Sequence, residues 1–233
     1  MVYVQEILEI MRACVVIPTY NEAKEIGGLI SKIKDQGLEV LVVDDGSTDK
    51  TAEIARAAKA VVLTNNKNHG KGVALIKGFD YAIKNDFDAV ITMDGDGQHL
   101  PEDIPYFLRL AQYSDTAIFI GNRMHQPKNM PFTRLATNRI MSYFISGLIR
   151  QKVPDSQCGF RLIKKEALSV LGLSTSNYEI ETEILIKAAR RGLKIESVPI
   201  STVYFGQKSQ INPFIDSLRF IRYIIRELWI TRS

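Results

Sequence analysis

Ala89-Val90-Ile91-Thr92-Met93-Asp94-Gly95-Asp96-Gly97-Gln98-His99 sets two carboxylates at the exit of a hydrophobic strand. Alternate residues of a strand share a face, so Asp94 and Asp96 can approach one ion if the backbone stays extended, while Gly95 and Gly97 keep that approach open. Oxygen ligands of this kind suit Mg2+ or Mn2+, which retain water and bind substrate phosphate instead of filling a closed protein cage. The implied ligand is a nucleoside diphosphate. Taken alone, the string also reads as an ordinary turn with its carboxylates in solvent.

The surrounding sequence favours the first reading. Cys14-Val15-Val16-Ile17-Pro18 is a short buried-strand run, after which Asn21-Glu22 opens a helix carrying Ile26, Leu29, Ile30 and Ile33. Val40-Leu41-Val42-Val43 is a second strand closed by Asp44-Asp45-Gly46-Ser47; a capping-type start at Ser47 to Asp49 leads to another helix, then Val61-Val62-Leu63 gives a third strand. Strands alternating with amphipathic helices predict an α/β fold, a mainly parallel central sheet with helices on both faces and ligands gathered at the carboxyl ends of the strands. Pro18 to Glu22, Asp44 to Ser47 and Asp94 to Gln98 all fall at such ends.

Asn68-His69-Gly70-Lys71-Gly72 starts a helix whose backbone N–H groups, with Lys71, are placed to meet phosphate or sugar oxygens. It is not a Walker loop, because Gly72 follows the lysine and the upstream glycine is missing. A solvated helix start is the competing reading.

At 233 residues and 45% hydrophobic content the chain can bury a full core without disulfides. The two cysteines, Cys14 and Cys158, give neither metal spacing nor a secreted disulfide framework, and a reduced cytosolic setting follows. Met1 to Arg12 has no apolar stretch of signal-peptide length, since Glu6 and Glu9 interrupt it. Net charge is only +4, yet Arg123 through Pro154 holds six basic residues and no acidic one, and Gln207 to Ser233 holds five basic against two acidic. Both basic segments carry apolar surface. Ile140 to Ile149 is nearly continuous but too short to span a bilayer, and Phe214, Ile215, Leu218, Ile221, Ile224, Ile225, Leu228 and Trp229 form a broad stripe bordered by Arg219, Arg222 and Arg226. That stripe suits a helix lying in a membrane interface, and equally a core or dimer helix. No nucleic-acid-binding module is recognisable, so nucleic acid is not an expected partner.

The three sheet-edge clusters resemble the signature of family-2 glycosyltransferases. Gly121-Asn122-Arg123, Asp155-Ser156-Gln157-Cys158-Gly159-Phe160-Arg161 and Glu179-Ile180-Glu181-Thr182-Glu183 further resemble the polyprenyl-phosphate branch, which includes dolichyl-phosphate mannosyltransferases. The resemblance runs over about residues 12 to 220. It implies the GT-A fold over one catalytic domain, 1–233: a nucleotide-sugar half at 12–122, an acceptor half at 123–212 and an amphipathic C-terminal helix at 213–233. It implies an inverting, metal-dependent transfer of a single hexose from a GDP-mannose or UDP-glucose type donor to a polyprenyl or dolichyl phosphate. The implied setting is cytoplasmic, peripheral at the cytosolic membrane face, with a separate membrane subunit or a homodimer as a further partner.

Residue by residue, the resemblance puts Pro18, Tyr20 and Glu22 on the base and ribose, and Asp45 on the base. Asp94 and Gly95 stand at ribose and metal, and Asp96 and Gln98 are direct metal contacts, Asp96 acting in catalysis by neutralising the departing diphosphate. Lys71 faces the donor. Lys208 and Ser209, in the Gly206 to Pro213 loop, would neutralise and hydrogen-bond diphosphate on closure. Arg123 and Arg139 would grip the acceptor phosphate, with Ser142 donating beside them; Asn138 stands where some relatives have arginine. A phosphate acceptor is already ionised near neutral pH and needs no strong base. A hydroxyl acceptor would need one, and Glu179, Glu181 and Glu183 are the candidates, with a solvated helix start as the bland alternative. The absence of a Gln-x-x-Arg-Trp element favours single transfer over processive synthesis.

Overall fold

The computed structural model describes residues 11–125, 127, 130–202, 219, 220 and 222–227. Seven strands form one sheet: β1 (Ala13–Thr19), β2 (Glu39–Asp44), β3 (Val61–Thr64), β4 (Ala89–Thr92), β5 (Ile118–Asn122), β6 (Arg161–Lys164) and β7 (Ile195–Pro199), in the spatial order β3-β2-β1-β4-β6-β5-β7. Every pairing is parallel except those of β6 with β4 and with β5. In β1 the consecutive residues Val15, Val16 and Ile17 are all fully buried, so both faces of the sheet are covered at its centre, as parallel strands require.

Among the described residues, helices α1 (Ile26–Lys34), α2 (Thr51–Ala57), α3 (Lys71–Lys84), α4 (Ile104–Tyr113) and α5 (Phe132–Ile149) alternate with the strands, and α6 (Lys165–Leu171) and α7 (Ile180–Arg190) follow one another between β6 and β7. Register sets the site. Thr19 pairs with Asp44 and Val16 with Thr92, so β1, β2 and β4 release their chains along one edge.

Two helix starts differ from the sequence expectation. The helix read from Asn21 begins only at Ile26, because Asn21 adopts a left-handed φ of 58° and the intervening loop is tied to the segment after β2. Asn21 N–H donates to Ser47 Oγ at 2.9 Å, Glu22 N–H to Thr51 Oγ1 at 2.8 Å and Thr48 N–H to Asn21 Oδ1 at 2.8 Å. Polar side chains that bond local backbone compete with helix formation, and here they win over four residues' worth of periodicity. For the same reason α2 begins at Thr51, whose N–H is taken by Asp49 Oδ1 at 2.9 Å.

The apolar run 140–149 is the second half of α5, and no described helix is long and apolar enough to cross a membrane. Of the C-terminal segment, 219, 220 and 222–227 are described and helical. Tyr223 and Glu227 face inward there, Glu227 forming an ion pair with Arg190 of α7 whose Nη2 also donates to Glu227 O at 2.8 Å. Lys208 and Ser209, and most of the proposed terminal stripe, lie outside the described residues.

Candidate active site

The carboxylates after β4 do not stay on an extended strand. The strand ends at Thr92, residues 95 and 96 turn, and Gly97 takes a φ of 72°. Strand alternation therefore does not aim Asp94 and Asp96 at one point. Asp94 turns towards Lys71, whose Nζ lies 2.6 Å from Asp94 Oδ1 and 2.7 Å from Glu181 Oε1. Asp96 caps its own turn, Oδ1 accepting the Gln98 N–H at 3.0 Å.

Charge nonetheless converges here. Burial, followed by the charges of Asp96 and Asp94, pushes Glu22 up to about 7. Burial and then Asp94 raise Asp96 as well. Burial works to raise Asp94 too, but the Lys71 ammonium overrides it and holds that carboxyl below its usual range. His99 is pushed down to about 4 by burial; its Nδ1 stands 3.3 Å from the Asp94 N–H, so the ring is a neutral acceptor in the wall of the site.

These residues fit a divalent cation. The donor set is oxygen only, and Glu22 and Asp96 are crowded carboxylates whose mutual repulsion a cation would relieve. Among the described residues no three His, Cys, Asp or Glu side chains form a ready cage. Asp94 Oδ1 is engaged by Lys71.

Gly159 makes room for this arrangement, a role the sequence alone did not reveal. A Cβ there would fall 2.7 and 2.8 Å from the two oxygens of Asp94. The neighbouring Arg161 is fully buried and spends its guanidinium on backbone, donating to Cys158 O at 2.8 Å, Glu181 O at 2.7 Å and Ser156 O at 2.9 Å. It thus fastens the 155–161 segment to α7, close to Asp94. A basic residue in the first position of a strand, followed by the apolar pair Leu162-Ile163, was the available signal.

The start of α3 is committed differently from the expectation. His69 and Gly70 N–H groups donate to Asp45, Gly70 at 2.7 Å, and Gly72 and Val73 N–H groups donate to Ser176 O at 2.8 and 3.3 Å. These amides are therefore used by the protein and are not left for phosphate. Gly72 lies against the opposite loop so closely that a Cβ would sit 2.3 Å from Thr175 O. Asp45 also accepts from Asn65 Nδ2 at 2.7 Å, so its buried carboxylate fixes this corner of the nucleotide half. Pro18 and Tyr20 are half-buried on the same edge.

The carboxylates of α7 are not a solvated helix start. Glu183 is fully buried and accepts from the N–H and hydroxyl groups of Ser174 and Thr175, with Lys187 Nζ at 2.6 Å. Glu181 is 6% exposed and holds Lys71, whereas Glu179 is half-buried at the helix start.

In the acceptor half Arg123 is buried and clamped by Asp155, Nε to Oδ2 at 2.8 Å and Nη2 to Oδ1 at 2.9 Å, while its own N–H also reaches Oδ2 at 3.0 Å. Asn138 Nδ2 donates to Asp155 Oδ1 at 2.7 Å, and Ser142 Oγ lies 2.9 Å from Asn138 Oδ1 and accepts the Ser156 N–H at 2.8 Å. Arg123, Asn138 and Ser142 are thus brought together, with Asp155 as a centre the sequence reading gave no role. Arg139, one residue further round α5, is exposed and stands outside that network.

Residues 14–172 match the model of the family described as Glycosyl transferase family 2. The chain is 32% identical to the UDP-N-acetylglucosamine–dolichyl-phosphate N-acetylglucosaminyltransferase of Methanococcus voltae, over 81% of this chain and 84% of that one. It is 31% identical to the undecaprenyl-phosphate mannosyltransferase of Micrococcus luteus, over 83% of this chain and 84% of the relative. Among solved structures, the glucosyl-3-phosphoglycerate synthase of Mycobacterium tuberculosis, in complex with Mn2+, UDP and glucosyl-3-phosphoglycerate, matches with a TM-score of 0.74 over 97% of this chain and 81% of that one, at 20% identity. The last likeness is one of fold.

Proposed function

The chain belongs to glycosyl transferase family 2 and is a glycosyltransferase of GT-A fold, and from that premise we propose that it moves one sugar, with inversion, from a nucleotide sugar to a polyprenyl phosphate. The acceptor phosphate oxygen attacks the anomeric carbon from the face opposite the diphosphate. A new carbon–oxygen bond forms as the bond to the leaving group breaks, and the electron pair departs on the nucleoside diphosphate. No proton has to be removed from the acceptor.

The observation that carries this reading is the state of the α7 carboxylates. A hydroxyl acceptor needs a base, yet Glu183 is consumed by the 174–175 loop and Glu181 by Lys71. The relatives named above support the same acceptor class, since their names specify dolichyl and undecaprenyl phosphate. Those names cover N-acetylglucosamine and mannose, so N-acetylglucosamine joins mannose and glucose as a candidate sugar.

In this reading Pro18, Tyr20 and Glu22 wall the base and ribose, and Asp45 shapes that wall by holding the 65–70 corner. Asp96 and Gln98, with Asp94 behind them, would hold Mg2+ or Mn2+, and the ion would supply charge compensation for the diphosphate. Lys71, anchored on Glu181, adds one fixed positive charge to the donor side. Arg123, oriented by Asp155, and Ser142 receive the acceptor phosphate, and Lys208 acts from outside the described residues. The setting that goes with this acceptor is the cytosolic face of a membrane.

Glu179→Gln tests the acceptor class. Turnover should stay within about threefold of wild type, because the phosphate arrives ionised; a collapse of about 1,000-fold would hand the reaction to a hydroxyl acceptor with Glu179 as base.

A further inference from the structure

Glu183 is fully buried in α7, yet its carboxylate serves a loop whose Ser174 and Ser176 are exposed. It accepts from the Ser174 and Thr175 N–H groups at 3.0 and 2.9 Å and from their hydroxyls at 3.0 and 2.6 Å, and Lys187 Nζ stands 2.6 Å away. A carboxylate taken out of water is stable only when its lone pairs are filled. Apart from Lys187, the donors that fill them here come from two adjacent residues, so the buried charge dictates the shape of the loop.

The start of α3 uses that shape. Ser176 O accepts the Gly72 and Val73 N–H groups at 2.8 and 3.3 Å, and Asp45 accepts the Gly70 N–H at 2.7 Å, so Lys71 has an anchored residue on each side. A Cβ on Gly70 would strike Ser176 O and Asn177 Oδ1, and one on Gly72 would strike Thr175 O; both glycines are needed for the loop to come so close. The head of Lys71 is held by the same stretch of chain, with Glu181 Oε1 at 2.7 Å and the Tyr178 ring centroid at 5.6 Å from Nζ. Arg161 Nη1 in turn donates to Glu181 O at 2.7 Å. Residues 174–181 thus form a socket that grips Lys71 at its backbone and at its ammonium.

We propose that Glu183, acting through the 174–176 loop, is a positioning residue that sets Lys71 against Asp94. This rests on the reading of Lys71 as a donor-side charge. Glu183 touches no reacting atom itself. A lysine ammonium on its flexible stem is a loosely placed charge unless both ends of the side chain are fixed. A charge that is to stabilise a departing diphosphate acts best when it is aimed before the reaction begins. The buried glutamate supplies that aim from the far side of the loop.

The test uses the full chain with Glu183→Gln and with Thr175→Val. The first puts an amide donor among groups that themselves donate; the second removes only the Oγ1 bond and keeps the loop's bulk, so it carries the test if the first fails to fold. Acetylation by N-hydroxysuccinimidyl acetate, followed residue by residue by mass spectrometry, should be about tenfold faster at Lys71 in either variant. Lys77 of the same helix, which donates to Thr64 O at 2.8 Å, should keep its wild-type rate. The kcat for release of nucleoside diphosphate should fall about fivefold or more in Thr175→Val, yet change by less than about twofold when that substitution is added to Lys71→Met. A merely structural role would repeat the full loss in the Lys71→Met background and would speed acetylation of Lys71 and Lys77 together. Either result would overturn the proposal, as would an unchanged rate at Lys71. Release of nucleoside diphosphate by wild type with no label in the lipid would remove the polyprenyl-phosphate acceptor and leave the socket standing, because neither acetylation nor the double substitution depends on the acceptor.

Discussion

Lys71 Nζ stands 2.6 Å from Asp94 Oδ1, and the same ammonium is held 2.7 Å from Glu181 Oε1. One cation therefore joins the loop after β4 to α7, with 14% of its side chain in solvent and a ring centroid of Tyr178 at 5.6 Å. Burial opposes its charge, but the two carboxylates outweigh burial and keep the proton on well above the usual lysine range.

Lys71→Met should accordingly leave two carboxylates facing each other. We expect turnover to fall about 100-fold and stability by about 2 kcal/mol, less than for a fully buried pair because Asp94 is 31% exposed. Urea denaturation and a transfer assay read the two effects, and a variant unchanged in both would remove Lys71 from the site.

Gly159→Ala puts a methyl 2.7 Å from Asp94 Oδ2, inside any tolerated contact. The carboxylate has to move, so turnover should drop about tenfold or more while the circular dichroism spectrum is retained. Wild-type kcat in this variant would show that the position of Asp94 is not critical.

Asp96→Asn separates function from stability. Burial and the neighbouring Asp94 disfavour the charged form of Asp96, so removing that charge should raise the melting temperature. Activity should fall on the order of 100-fold or more, with loss of Mn2+ binding seen by electron paramagnetic resonance. A lower melting temperature with intact Mn2+ binding would contradict the assignment.

Asp155→Asn should cost about 3 kcal/mol, since it strips the counter-charge from a buried guanidinium. The sign with pH follows. Burial works to raise Asp155, but Arg123 holds it below the ordinary 3.8, so its contribution is fully present above that value and is lost as pH falls further. The acid-side slope of stability should be shallower in the variant, and equal slopes would show that Arg123 does not set this carboxyl.

Burial pushes the thiols of Cys14 and Cys158 up to about 12. At pH 8 only about one in 10⁴ is ionised, so a disulfide reagent should label the native protein no faster than it unfolds. Rapid labelling would mean that either site opens.

Much of this was legible in the sequence for physical reasons. Val15 to Ile17, Val40 to Val43 and Ala89 to Thr92 are continuous apolar runs, and such runs between amphipathic helices have few arrangements other than a covered parallel sheet. The polar ends of those strands had to share an edge. What the sequence could not show was how polar groups pair. Asp45 reads as a contact to the base, and Glu183 as a candidate base or a solvated helix start, until backbone amides claim them, from His69 and Gly70 in one case and Ser174 and Thr175 in the other. Asn138 and Arg139 are neighbours in sequence, and only the rotation of α5 decides that the asparagine meets Asp155 while the arginine meets solvent.

The most direct test of the central claim is transfer of labelled sugar from a panel of uridine and guanosine nucleotide sugars into organic-extractable polyprenyl phosphate, with Mn2+ or Mg2+ and with chelator. The account predicts label in the lipid phase from one donor, an inverted anomeric phosphate, and loss of label with chelator or with Asp96→Asn. Donor binding with no lipid label under any condition, and label instead on a hydroxyl acceptor, would contradict it.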